Sequence, residues 1–243
     1  VKVVVEKVGV SELSAIGITN QRETILIWEK KDFSPPRRGI VWQDRRTSDL
    51  VNELRIRGVE PVVKEKTGLG LDPYFSSSKM LWLSVNEKEI WKGIVEGKFA
   101  IGTVDTYLIA RLTNGQAFVT DASNASRTQL LNLKTADWDD ELLELFQVPR
   151  NVLPKVVPSY GVVGTTQNFL GLSIPIAGIA GDQQAALFGQ TAFDIGDSKC
   201  TYGTGSFILY NTGNELKISN QGLLTTIAWQ EPNGTTTYAL EGA

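Results

Sequence analysis

Ile174-Pro175-Ile176-Ala177-Gly178-Ile179-Ala180-Gly181-Asp182-Gln183-Gln184-Ala185-Ala186-Leu187-Phe188 is the stretch that decides the fold. Its short apolar run predicts a buried strand, Gly181-Asp182 the turn out of it, and residues 183–188 a helix. A carboxylate at the mouth of a strand, just before a helix, stands where open α/β sheets hold ligands. Asp is also a favoured helix N-cap, so geometry alone leaves that plainer role open for Asp182.

Outward from this unit, residues 15–19 and 24–28 read as further buried strands. A helix is predicted from Asp44 or Thr47 toward Arg57, ended by Gly58. Others cover residues 76–85, with Met80, Leu81 and Leu83 as core candidates, residues 105–112, and residues 141–146. Asn114-Gly115 makes a turn, and residues 154–164 read as a Pro/Gly-rich connection. Residues 199–202 and 206–210 read as strands joined by the Gly203-Thr204-Gly205 turn, with more strands at 223–229 and 235–240. Residues 1–8 fit either a helix or a strand by spacing. Helices interleaved with strands predict an α/β domain on a mixed sheet.

The 243 residues are 42% hydrophobic and 21% charged, an ordinary globular composition. A net charge of −3, with no basic stripe, argues against a nucleic-acid partner. Arg37 and Arg38 read as solvated surface charge. No apolar run approaches the length of a membrane span. The absence of His excludes Ser-His-Asp and Cys-His nucleophile pairs, which leaves acid–base work to carboxylates, Lys or Tyr. The single Cys200 forms no internal disulfide, which is compatible with a reducing cytoplasm.

Three clusters offer chemistry. Asp182 and Gln183 are the first. The Gly203-Thr204-Gly205 turn is the second: its glycines admit close approach of backbone N–H groups to a phosphate, although an ordinary hairpin turn has the same sequence. Arg22-Glu23, after the strand at 15–19, is the third. Arg donates to hydroxyls and Glu accepts from them, so the pair suits a polyhydroxy ligand. A surface ion pair is the bland alternative. Trp42 and Tyr74 are candidate walls or core residues.

Ile16-Gly17-Ile18-Thr19-Asn20-Gln21-Arg22-Glu23-Thr24 resembles the FGGY carbohydrate kinase family and, within it, the glycerol kinases. So do Ile40-Val41-Trp42-Gln43-Asp44-Arg45-Arg46-Thr47, Asp72-Pro73-Tyr74-Phe75-Ser76 and Thr120-Asp121-Ala122-Ser123-Asn124-Ala125-Ser126-Arg127-Thr128. Residues 177–190, 201–207 and 222–229 continue the match, in order along the chain. The resemblance implies a ribonuclease H-like fold of the actin and hexokinase type. It implies a partial N-terminal, glycerol-binding domain over residues 1–243 and places residues 1–8 on a helix. An Asp-Gln-Gly-Thr-Thr phosphate loop is expected upstream of Val1 and a nucleotide domain after Ala243, so the chain alone is expected to be inactive.

The implied reaction is Mg²⁺-assisted transfer of the ATP γ-phosphoryl group to glycerol, in the cytoplasm, by a homo-oligomer when full-length. By the same resemblance, Arg22, Glu23, Tyr74, Asp182 and Gln183 hydrogen-bond glycerol, and Trp42 and Phe207 wall its carbons. Asp182 is also the expected general base and metal ligand, and Gly203 and Thr204 the phosphate contacts. Ser77 and Tyr107 depart from the family's usual Gly and Trp. A kinase for another polyol or sugar and a non-catalytic polyol-binding module are the alternatives; Arg22-Glu23 after Thr19-Asn20-Gln21 argues against another sugar.

Overall fold

The computed structural model describes residues 2–9, 12–167, 169–203 and 205–242. The chain opens with α1 (Lys2–Val8), β1 (Ile16–Asn20), β2 (Leu26–Glu29), α2 (Ser48–Ile56), α3 (Glu60–Thr67), α4 (Ser76–Asn86) and α5 (Lys88–Val95). It continues through β3 (Phe99–Gly102), α6 (Val104–Leu112), β4 (Val119–Asp121), α7 (Ala122–Ala125), β5 (Leu131–Asn132), β6 (Asp137–Trp138) and α8 (Asp140–Leu145). Then come β7 (Lys155–Val157), β8 (Tyr160–Thr165), β9 (Pro175–Gly181), α9 (Asp182–Gly189), β10 (Ser198–Tyr202), β11 (Ser206–Gly213), β12 (Leu224–Gln230) and β13 (Thr236–Gly242).

Two sheets position the chemistry. In the first, of order β1-β9-β8, β1 runs parallel to β9 and β8 runs antiparallel to it, so the predicted mixed sheet is present. The register sets Asn20 opposite Gly181, which brings the chain after β1 beside the start of α9. The second sheet, of order β10-β11-β13-β12, is antiparallel throughout. Ile18, Ile109, Ile176 and Ile179 form the core between α6 and the first sheet. Leu187 of α9 packs with Leu209, Ala228 and Ala239 of the second. Helix α9 therefore touches both sheets, and its first turn is fixed between them.

Several expectations need correction. Residues 154–164 are not merely a connection, for they carry β7 and most of β8. Thr47 occupies the N-cap position of α2 without capping it; its hydroxyl shares a 3.0 Å hydrogen bond with Ser78 Oγ, and Asp44 pairs with Arg46. Asp182 is the first residue of α9, and Gly181 is its N-cap. Arg37 is half-buried and pairs with Glu87 at 2.8 Å, so it is not a freely solvated charge.

Candidate active site

Arg22 and Glu23 follow the end of β1 at Asn20 after one intervening residue, Gln21, where the chain leaves the sheet. Both are buried, at 2% and 1% exposure, so they are not a surface pair. Glu23 adopts φ 60°, a left-handed conformation that costs a non-glycine residue energy. Ser76 Oγ donates to its carbonyl at 3.1 Å and Arg127 Nε donates to its Oε1 at 2.8 Å, which hold it there.

Burial of these charges is made tolerable by two residues that no local sequence signal singled out. Arg22 Nη1 and Nη2 donate to Glu241 Oε2 and Oε1 at 2.5 and 2.9 Å. Arg127 Nη2 also donates to Glu241 Oε1, at 3.0 Å. Burial works to raise the Glu241 carboxyl, but Arg127 and Arg22 overcome it and hold the group down at about 2. Burial likewise opposes charge on Arg22, and Glu241 and Glu23 outweigh it, so its guanidinium stays protonated.

The donor count of Arg22 shows what is left over. A guanidinium carries five N–H groups. Two go to Glu241, and Nη1 spends its second on Gln184 Oε1 at 3.3 Å. The Nε–H and one Nη2–H remain, with Asp182 Oδ1 lying 3.4 Å from Nε. On Glu23, Oε2 has no hydrogen-bond partner among the described residues, and the residue lines a small pocket. A donor pair and an acceptor therefore stand side by side.

Asp182 keeps 45% of its side chain exposed. The backbone N–H of Gln183 donates to its Oδ1 at 2.9 Å. Gly181 makes this approach possible, because a Cβ there would lie 2.7 Å from both Arg22 Cδ and Gln184 Oε1. Gln183 is fixed in turn by Lys199 of β10, whose ammonium donates to Gln183 Oε1 and, at 2.9 Å, to Thr201 Oγ1. Lys donates only, so the Gln183 amide must turn its Nε2 away, toward Asp182 Oδ2 at 3.4 Å. Burial lowers the Lys199 pKa below the ordinary lysine value.

Aromatic rings complete the enclosure. Trp42 and Tyr74 meet edge to face, their centroids 5.6 Å apart at 87°. Burial, reinforced by Glu23, pushes the Tyr74 phenol up to about 12, so it stays a donor. Buried Lys79 donates to the carbonyls of Pro73, Tyr74 and Phe75 and so anchors the loop that carries Tyr74.

Arg22, Glu23, Trp42, Tyr74, Asp182, Gln183 and Phe207 line one pocket of about 60 Å³, together with Gln21. All seven residues expected to hold a small polyol thus meet in a single place. Gly203 is exposed in the turn between β10 and β11 and does not line that pocket. Thr204 lies outside the described residues. A roomier cleft of about 340 Å³ between β1, β9 and α9 is apolar and offers no carboxylate or cation, whereas a neighbouring cavity of about 440 Å³ shares Trp42, Tyr74 and Phe207 with the small pocket and adds Arg45, Asp72 and Glu241. Among the described residues no group of three or more Cys, Asp or Glu side chains is placed to hold a metal.

The chain is similar to known proteins of one family. The family model described as the FGGY family of carbohydrate kinases, N-terminal domain, matches residues 1–189, ending with α9. A glycerol kinase 2 of Clostridium tetani is 51% identical over 237 residues, covering 97% of this chain and 48% of that protein. The crystal structure of Plasmodium falciparum glycerol kinase with ADP superposes with a TM-score of 0.90 at 42% identity, over 94% of this chain and 46% of that one. Gluconate kinase from Lactobacillus acidophilus superposes at 0.85 with 25% identity, over 98% of this chain and 47% of that one. The chain spans about half the length of the curated relatives it matches.

Proposed function

The chain belongs to the FGGY family of carbohydrate kinases, and on that premise we propose that it forms the acceptor side of an ATP-dependent kinase that converts glycerol to glycerol 3-phosphate. The observation that carries this reading is the convergence of Arg22, Glu23, Asp182 and Gln183 on one small pocket walled by Trp42, Tyr74 and Phe207. Curated relatives named glycerol kinase, at about half identity across the chain, support the same substrate.

Three adjacent hydroxyls need donors and acceptors at short spacing. The free Nε–H and Nη2–H of Arg22 donate to hydroxyl oxygens, and Glu23 Oε2 accepts a hydroxyl proton. Tyr74 and the Gln183 amide add further polar contacts, while the Trp42 and Phe207 rings cover the C–H edge. The hydroxyl that attacks phosphorus must lose its proton. Asp182, open to the pocket, accepts it as general base.

Phosphoryl transfer otherwise depends on positioning and on neutralising charge. The Gly203-Thr204 turn is the proposed backbone cradle for ATP phosphates. Mg²⁺ takes few protein carboxylates when phosphates complete its shell, so the exposed Asp182 carboxylate would be one of its protein ligands, and the ion would neutralise phosphate charge when bound. No helix among the described residues is long and apolar enough to cross a membrane. A cytoplasmic location, where ATP is supplied, belongs to the same proposal.

Asp182→Asn tests the mechanism. Glycerol-dependent ADP release by the full-length protein is expected to fall about 10²–10⁴-fold, the usual contribution of a general base. Unchanged turnover would remove Asp182 from that role.

A further inference from the structure

Glu241 lies on β13 in the second sheet, 219 positions from Arg22, and yet it takes both terminal nitrogens of that guanidinium. Arg127 closes the arrangement by bonding Glu241 Oε1 and Glu23 Oε1 together. Four charges, none more than 2% exposed, thus form a ring in which each acid faces both bases. Such a ring is a weak source of stability, because desolvation of buried ions offsets most of their attraction. Its geometric effect is strong. With the outer fork of Arg22 engaged and a third N–H on Gln184, the guanidinium has one orientation left, and the two free N–H groups point away from Glu241.

We propose that Glu241 is a positioning residue for polyol recognition, acting through Arg22, with Arg127 locking Glu241 and Glu23 into one rigid unit. The proposal rests on the polyol reading of the pocket. Loss of the Glu241 charge frees the Arg22 fork to turn toward the remaining carboxylates, Glu23 and Asp182. The donor pair offered to the ligand is then lost, and the Asp182 carboxylate is drawn into an ion pair. Glu241 itself lines the larger neighbouring cavity, about 440 Å³, and not the small pocket, while both its carboxylate oxygens are taken by Arg22.

The test is a double-mutant cycle in the full-length protein, reading the glycerol and ATP KM values separately. Glu241→Gln is expected to weaken glycerol about 30-fold, as expected for removing one partner of a buried charge pair, with the ATP value changed less than about twofold. In an Arg22→Lys background the same change is expected to cost less than about threefold, because coupled residues are non-additive. Additive losses, or equal weakening of glycerol and ATP, would overturn the proposal. Glu241→Asp guards against a misfolded variant, since it keeps the charge but is too short for both bonds. Unchanged glycerol affinity there also overturns it. If another polyol saturates the wild-type protein and glycerol does not, the glycerol reading fails alone and the cycle is run on that polyol. If no polyol saturates it, both fall.

Discussion

Gly181 is where a single atom decides the geometry of the pocket. A methyl group there would press against Arg22 Cδ and Cγ, at 2.7 and 2.8 Å, and against Gln184 Oε1. Gly181→Ala is therefore expected to displace Arg22 and weaken glycerol binding about tenfold, while costing only about 1–3 kcal/mol of stability from overpacking. Calorimetric titration beside a thermal melt checks this, and wild-type affinity in the variant would contradict it. At this scale the sequence was informative about which residues matter but not about their surroundings. Arg22-Glu23 and Asp182-Gln183 are legible as pairs at strand ends. Nothing near Arg22 in the chain reveals that it is buried, because the groups that make burial tolerable come from Arg127 and Glu241. Lys199 was invisible for the same reason: a lysine in a strand next to a turn reads as surface until its partner Gln183 is known.

Elements with a strong local pattern follow the expected lines. Strands β1, β9 and β10 and helix α4 lie within a residue or two of the sequence reading, and β11 starts where expected but runs three residues further, to Gly213. The misses have physical causes. Helix α5, for which the sequence reading named no element, contains Gly93, whose missing side chain makes room for Phe99, with a Cβ there only 2.5 Å from the ring. Strands β4 and β7 are three residues each, and their pairing is what makes them strands.

The α6–β4 unit also carries a pH prediction. Asp105 is fully buried; Thr120 Oγ1 donates to its Oδ2 at 2.7 Å, and its Oδ1 has no partner among the described residues. Burial, reinforced by Asp121, pushes its carboxyl up to about 6 from a reference of 3.8. The folded chain therefore binds this proton more tightly than the unfolded chain. Stability gained from protonation is complete below the unfolded value and is lost as pH rises through 6, above which an ionised buried carboxylate is a standing cost. Asp105→Asn removes that cost and is expected to add about 2 kcal/mol at about pH 7.5, with a smaller gain at about pH 5. Thermal melts at the two pH values decide the matter. An equal effect at both, or a loss at the higher one, would contradict the assignment.

For the whole molecule, the parallel register of β1 and β9 is the decisive fact. It sets Asn20 against Gly181, and so brings Arg22 to Asp182 across 160 positions of sequence. The second sheet then contributes Glu241, Lys199 and Phe207 from a part of the chain beyond the family-model match. Sequence patterns revealed β1 and β9 and their ends; the pairing that joins them is seen only in the fold, since no local signal specifies which strands become neighbours. The central claim is that this junction is a glycerol site built on Arg22 and Glu23. Calorimetric titration of glycerol into the full-length protein, and into its Glu23→Gln variant, tests it most directly. Saturable one-to-one binding, weakened about 30-fold or more in the variant, is the predicted result; wild-type protein that gives no saturable heat, or a variant that binds as well as wild type, would contradict it.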